Sequence, residues 1–356
     1  MEEILFKKSI IRVNKFLKFA GISFIKTENS TFLKKLTKQW FFYMNFFVMN
    51  ADLFAVFGII NELTLSEIFY MIPCVTMCYL ADFKAYYFYK NHDQVLNLVA
   101  TLNNLQKSHP TNPKAEEELL KRHKFLYFTN NLLFYTGMTG IATFFIAPIG
   151  FTISNYLKNK DIKLFLPFMV WYPYDAYDLK YWPHTFLIQF WSAWVAVFFV
   201  YGPDCFYYTC CVFIHTQFET LKMDVYNVDE YLGRNPTVRI EINYLPCIDM
   251  LQTIYGKSTL FNMISSSVLI CLNGFNIMII EDLMLMAPFT PFFIYGSIQI
   301  YLFCSYGDLM MKDYKTKSLS LSLYPYVCLN LYNYARDFDA VFLIDRAIQE
   351  ESLYLL

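Results

Sequence analysis

The chain has 356 residues, of which 56% are hydrophobic, 20% aromatic and only 17% charged, and its formal net charge is −1. Soluble proteins carry about 25% charged residues, and one or two water-soluble domains cannot bury this much apolar surface. The composition therefore excludes soluble domains, a disordered chain, collagen and a secreted disulfide scaffold, and the charge gives no indication of nucleic-acid binding. It favours an all-α fold, a helical bundle that crosses a membrane several times.

Six segments are long and apolar enough to cross the hydrocarbon core of a bilayer, which takes about 20 residues of helix. Because lipid cannot satisfy backbone N–H and C=O groups, each segment is predicted to be a helix. In chain order the segments are Trp40–Ile60, Ile68–Phe88, Phe125–Leu157, Tyr181–Pro203, Ser258–Ile280 and Leu283–Gly307.

The distribution of basic residues predicts the orientation of these helices. The N-terminus and the connections on its side of the membrane hold 22 Lys and Arg residues, and the opposite connections hold four. Basic residues favour the cytoplasmic side, so the N-terminus is predicted to lie in the cytoplasm. We therefore expect residues 1–39 to be a cytoplasmic segment, 40–307 a transmembrane bundle with a ligand pocket, and 308–356 a C-terminal segment without a convincing seventh helix.

Sequence patterns for catalysis and cofactor binding are not found. The five histidines form no HxxH or HExxH pair, and the chain contains no P-loop, GxSxG or GxGxxG. We therefore predict no catalytic residue, no metal and no cofactor, and the chain is not expected to be an enzyme.

Two acidic residues within or beside the predicted spans need separate interpretations. Asp52 lies 12 residues into the first span, where a carboxylate is either an ion or gating site or a buried group that a neighbouring helix hydrogen-bonds, for instance through Asn130 or Asn131. Asp204 directly follows the fourth span, and we expect it to be an exposed charge at the membrane surface.

Several short motifs resemble those of insect odorant receptors. The segment Leu166–Asp175 reads LPFMVWYPYD, and with Tyr181, Trp182 and Gln189 it is similar to the second extracellular loop and the start of the fourth span in that family. Cys271–Phe275 is similar to the family's fifth span. Phe303–Asp308 and Ser318–Tyr324 resemble the segment that joins its sixth and seventh helices. The likeness extends from Trp40 to about Tyr324.

The resemblance implies a seven-helix receptor subunit with an intracellular N-terminus, in the plasma membrane of an olfactory sensory neuron dendrite. Such a subunit binds a small volatile odorant and forms a hetero-tetrameric, ligand-gated cation channel with a shared co-receptor. The implied partners are the odorant, the co-receptor and membrane lipid, with no nucleic acid. The residues implied to hold subunits together continue the fourth helix into the cytoplasm: Asp204, His215, Gln217, Phe218 and Leu221.

The resemblance places the odorant pocket in the extracellular half of the bundle, lined by the second, third, fourth and sixth helices. A pocket rich in aromatic and Met side chains suits a small apolar molecule. Chosen by their depth along these helices, the predicted ligand-binding residues are Phe69, Met77, Phe145, Ile149, Phe186, Phe190, Met286 and Phe289.

The C-terminal region departs from the family pattern. Cys328 stands where the family usually has Trp, and no basic linker and apolar final helix follow Ala335.

Two alternatives stay open: a gustatory receptor of the same topology, and a multi-span membrane transporter or enzyme. The segment WYPYD favours the odorant receptor, and the absence of two similar halves disfavours a transporter.

Overall fold

The computed structural model describes residues 2–19, 21–22, 32–59, 61–108, 113–232 and 245–317. Every regular element in these ranges is a helix. In chain order they are α1 (Glu2–Phe19), α2 (Phe32–Ile59), α3 (Leu65–Lys90), α4 (His92–Ser108), α5 (Pro113–Asn159), α6 (Trp182–Leu232), α7 (Leu245–Ile279), α8 (Leu283–Met286) and α9 (Phe289–Lys317).

Five of the described helices contain a stretch that is long and apolar enough to cross a membrane. These stretches are Gln39–Ile59, Leu65–Lys90, Leu119–Asn159, Trp182–Phe218 and Cys247–Ile279. They coincide with the first five predicted spans, and the predicted all-α membrane bundle is confirmed. The sixth predicted segment is not one continuous helix, because α8 ends at Met286 and α9 begins at Phe289. Pro288 lies in this break, where its missing N–H interrupts helical hydrogen bonding.

The central helix of the bundle is α6, which packs against α1, α2, α3, α4, α5 and α7. Its most apolar stretch is 61% buried, compared with 28–39% for the other four candidate spans. A helix that is apolar on all sides gains most when neighbours surround it, which accounts for this position. The helix also continues to Leu232, well past Pro203, where the predicted span ended.

The N-terminal segment contains an amphipathic helix that packs on the bundle. Phe6, Ile10, Val13 and Leu17 are buried at helical spacing, and α1 contacts α6 along this face. Gly202 allows the close approach, because a Cβ atom there would lie 2.5 Å from Leu17 Cδ2. The segment predicted only as cytoplasmic therefore contributes to the same compact unit, Met1–Tyr306. A second unit, Gly307–Leu356, begins within α9.

Candidate functional site

A cavity of about 80 Å³ lies between α2, α3, α5, α6, α7 and α9. Apolar side chains form most of its wall. They are Met49, Leu53, Val56, Met71, Pro73, Val75, Met77, Ile141, Phe144, Phe145, Phe168, Val170, Ala193, Ala196, Val197, Leu269 and Phe292. Such a wall could hold a small apolar molecule by excluding water, largely without directional bonds.

The connection between α5 and α6 (residues 160–181) closes one side of the cavity through Phe168 and Val170. The fully buried Gln189 of α6 holds this connection with both ends of its amide. Its Nε2 donates to the Phe168 carbonyl oxygen at 3.0 Å, and its Oε1 accepts from the Phe168 N–H at 3.1 Å. The N–H of Trp171 donates to the carbonyl oxygen of Ala55 in α2 at 3.1 Å. These bonds make the connection an ordered cover over the cavity.

Asp52 lines the cavity as a hydrogen-bonded carboxylate. The Ser192 hydroxyl donates to Oδ2 at 2.5 Å, and the Tyr172 hydroxyl donates to Oδ1 at 3.2 Å. Asp52 is thus a buried carboxylate that neighbouring side chains hydrogen-bond, as one of the two sequence interpretations expected. The partners suggested there, Asn130 and Asn131, are wrong, because both lie elsewhere in the bundle. The true partners come from α6 and the covering connection, and sequence spacing carries no sign of either.

Of the two hydroxyl groups that donate to Asp52, only that of Tyr172 lies outside the membrane spans. Burial, and to a lesser extent the nearby Asp52 carboxylate, raises the pKa of its phenol above the usual value. The Tyr172 hydroxyl therefore keeps its proton and remains a donor to Asp52 at physiological pH.

Two of the eight predicted ligand-binding residues, Met77 and Phe145, line the cavity. Three others stand behind its wall in ring contact with it. Phe186 and Phe190 lie 5.4 and 5.1 Å from Phe145 between ring centroids, and Phe289 lies 5.7 Å from Phe144. The four phenylalanines among these five residues belong to one aromatic cluster beside the cavity, because Phe168 contacts both Phe144 and Phe145.

The remaining three predicted residues do not line the cavity. Phe69 packs against Phe275 of α7 at 5.0 Å between ring centroids. The side chain of Ile149 is 39% exposed on the outside of α5, and that of Met286 is half-buried at the end of α8. Sequence reasoning set the depth of these side chains but not the direction in which each faces.

Asn273 of α7 is a cavity residue that the sequence prediction missed. Its side chain is 1% exposed, and its Nδ2 donates to the carbonyl oxygen of Leu269 at 2.7 Å. An amide within an apolar helix is the only sequence sign of this position.

A fully buried ion pair lies in the same bundle. Lys84 Nζ contacts both carboxylate oxygens of Asp204, at 2.6 and 2.8 Å, and the two side chains are 2% and 1% exposed. Gln299 Nε2 donates to Asp204 Oδ2 at 2.5 Å, and the Ser266 hydroxyl donates to Gln299 Oε1 at 3.2 Å. The expectation that Asp204 is an exposed surface charge is wrong, because α3 supplies a lysine 120 residues earlier in the chain.

The other residues expected to hold subunits together continue along α6. His215 and Gln217 are buried, Phe218 is half-buried, and the side chain of Leu221 lies outside the described part of the structure. The C-terminal segment from residue 318, including Cys328, also lies outside the described residues.

The chain is similar to known proteins both in sequence and in fold. Residues 64–326 match the sequence profile of a family described as 7tm Odorant receptor. The chain is 25% identical over 297 residues to a Drosophila melanogaster protein named as odorant receptor 92a, which covers 77% of this chain and 69% of that protein.

The fold is similar to that of the insect olfactory receptor OR5 from Machilis hrabei. The TM-score is 0.74 at 12% sequence identity, over 88% of this chain and 82% of the other. The structure of OR5 in complex with eugenol gives the same values. At this identity the likeness concerns the arrangement of the helices.

Proposed function

The chain belongs to the 7tm odorant receptor family of insects, and from this premise we propose that it is the ligand-binding subunit of a heteromeric cation channel. Its ligand is a small volatile odorant, and its partner is the odorant receptor co-receptor in a hetero-tetramer. The proposed location is the plasma membrane of an olfactory sensory neuron dendrite, with the N-terminus in the cytoplasm.

The family match decides between the alternatives that the sequence left open. It covers most of the bundle, from residue 64 to residue 326, and the family is one of membrane receptors. The odorant receptor interpretation is thereby confirmed over the gustatory receptor, the transporter and the enzyme. The chain is a multi-pass membrane protein and not an enzyme.

The apolar cavity is the observation that carries the proposed binding function. Met77 and Phe145 are proposed to touch the odorant directly, because both side chains form its wall. Phe186, Phe190 and Phe289 are proposed to support that wall through their ring contacts. Phe69, Ile149 and Met286 remain predictions with no cavity contact to support them.

The size of the cavity suggests how binding is coupled to opening. An apolar cavity of roughly 150 Å³ holds a benzene-sized molecule, and this cavity has about 80 Å³. An odorant of that size or larger fits only if wall side chains move apart. The widened state then binds the odorant more tightly than the closed state, so the odorant shifts the population toward it.

The proposal is tested by odorant-evoked current in cells that express this chain together with the co-receptor. Filling the cavity with the substitution Ala196→Phe should abolish the current at normal surface expression. Ala196 is 3% exposed and lines the cavity. The matched control is Ile188→Phe on the same helix, a residue 40% exposed and outside the cavity wall. Equal responses from the two variants would contradict the proposed site.

A further inference from the structure

The cavity wall contains a buried hydrogen-bond acceptor that the chain itself leaves unused. Asn273 is 1% exposed, and its Nδ2 donates to the Leu269 carbonyl oxygen at 2.7 Å, which fixes the orientation of the amide. The other end, Oδ1, has no hydrogen-bond partner among the described residues. A buried acceptor without a donor costs free energy, and Asn273 lines the cavity, so a donor that reaches this oxygen from the cavity would be favoured.

The second strong polar group in the cavity wall is also an acceptor. The Asp52 carboxylate receives one hydrogen bond on each oxygen, from Ser192 and Tyr172, and its two oxygens can accept about four in total. The hydroxyl of Ser192, which also lines the cavity, is already committed as a donor to Asp52. The remaining polar side chains in the wall are the thiols of Cys74 and Cys78, which are weak donors.

The cavity therefore offers a ligand two good acceptors and no strong free donor in its side chains. We propose that it selects molecules that carry a hydroxyl or N–H donor on a small apolar body, with Asn273 Oδ1 as the main acceptor and the Asp52 carboxylate as the second. This inference rests on the proposed function, because it assumes that the odorant occupies this cavity. Ethers, esters and hydrocarbons of the same shape are disfavoured, because they leave Asn273 unsatisfied and bring only further acceptors toward Asp52.

The test compares three monosubstituted benzenes, of which phenol and toluene match in size and anisole is one heavy atom larger. Phenol has a donor, toluene has no polar group, and anisole has an acceptor only. We measure binding of each to the purified full-length chain by isothermal titration calorimetry. A hydrogen bond to a buried, otherwise unsatisfied acceptor corresponds to about a tenfold difference in affinity. Phenol should therefore bind about tenfold more tightly than toluene or anisole.

The substitution Asn273→Leu tests the assigned acceptor. It removes the amide at similar size and loses only a hydrogen bond within α7. The variant should bind toluene at least as well as the wild type does and should lose the preference for phenol. The matched control is Asn262→Leu, a fully buried asparagine on the same helix outside the cavity wall, which should keep the wild-type order of affinities.

The possible outcomes distinguish a failure of this inference from a failure of the proposed function on which it rests. Saturable binding of phenol and toluene with equal affinity would overturn the inference and leave the cavity as the binding site. No saturable binding of any probe would contradict the proposed function as well. A phenol preference that persists in Asn273→Leu would overturn the role of Asn273. The order of affinities in the wild-type chain tests the proposal even if that variant fails to fold.

Discussion

Two regions of the bundle that share α3 differ sharply in their chemistry. Around Met77, mostly apolar side chains enclose a cavity in which most contacts are weak and do not depend on direction. At Lys84, seven residues or about 10 Å further along the helix axis, an ion pair with Asp204 is fixed by short hydrogen bonds. The cavity wall can deform at a small cost in free energy. The ion pair keeps its hydrogen bonds in only one geometry, so any large displacement breaks it.

This contrast suggests how one bundle both accepts a ligand and transmits its presence. Side chains in the cavity wall can move apart when a ligand enters. The ion pair and its partners Gln299 and Ser266 connect α3, α6, α7 and α9, so these helices are expected to move together. A ligand that displaces the wall therefore shifts helices and not only side chains.

The largest effect is expected from breaking the ion pair on one side. Lys84→Met leaves the Asp204 carboxylate buried with no cation, which should lower the free energy of unfolding by about 3–5 kcal/mol. The double variant Lys84→Met with Asp204→Leu removes both charges and should recover most of that loss. Denaturant unfolding in detergent measures both variants. A single variant as stable as the wild type would show that the ion pair does not fix the bundle.

A smaller, local effect is expected where the connection covers the cavity. Gln189→Leu removes both hydrogen bonds to the Phe168 backbone, at a cost of about 1–3 kcal/mol in the closed state of the cover. Hydrogen exchange of residues 165–172 should become faster while the ion-pair region keeps its protection. Gln252→Leu, at an exposed position on α7, is the control. Equal exchange in the two variants would contradict the role of Gln189.

The aromatic cavity wall should respond to truncation only where a side chain faces inward. Phe145→Ala removes a wall ring and should raise the odorant concentration for a half-maximal current about tenfold, or about 1.4 kcal/mol. Ile149→Ala, one helical turn later on the exposed side of α5, should change that concentration less than about twofold. Comparable shifts in both variants would mean that the ligand binds elsewhere.

The smallest effect is expected at Tyr172. Tyr172→Phe removes one hydrogen bond to Asp52 and should reduce the free energy of unfolding by about 1 kcal/mol. Because its pKa is raised in the folded chain, the phenol stays protonated below pH of about 10, and its contribution is lost only at higher pH. The stability difference from the wild type should thus be equal at pH 6 and pH 9. A difference that disappears by pH 9 would contradict this assignment.

The membrane spans were predictable because the bilayer imposes length and apolarity on every helix that crosses it. The continuation of α6 from Pro203 to Leu232 was implied only by the family resemblance, because Asp204 ends the uncharged run that delimited the predicted span. The partner of Asp204 was equally hidden, because Lys84 is 120 residues away in the chain and only the packing of α3 on α6 brings them together.

The sequence predicted how deep in the membrane the site residues lie, but not which way each side chain faces around its helix axis. Phe145 and Ile149 are both large, apolar and close together on α5, yet one lines the cavity and the other is exposed. Which side of a transmembrane helix faces its neighbours depends on the packing of the whole bundle, because both sides are apolar. Asn273 was missed for a related reason, since an asparagine in a span carries no sign of what it faces.

We propose that this chain binds its odorant in the cavity bounded by Met77, Phe145 and Asn273. The most direct test is a cryo-electron microscopy map of the chain assembled with the co-receptor, with and without an activating odorant. We expect ligand density in that cavity, beneath Phe168, in the odorant-bound map alone. Ligand density only at the lipid-facing surface, with this cavity unchanged, would contradict it.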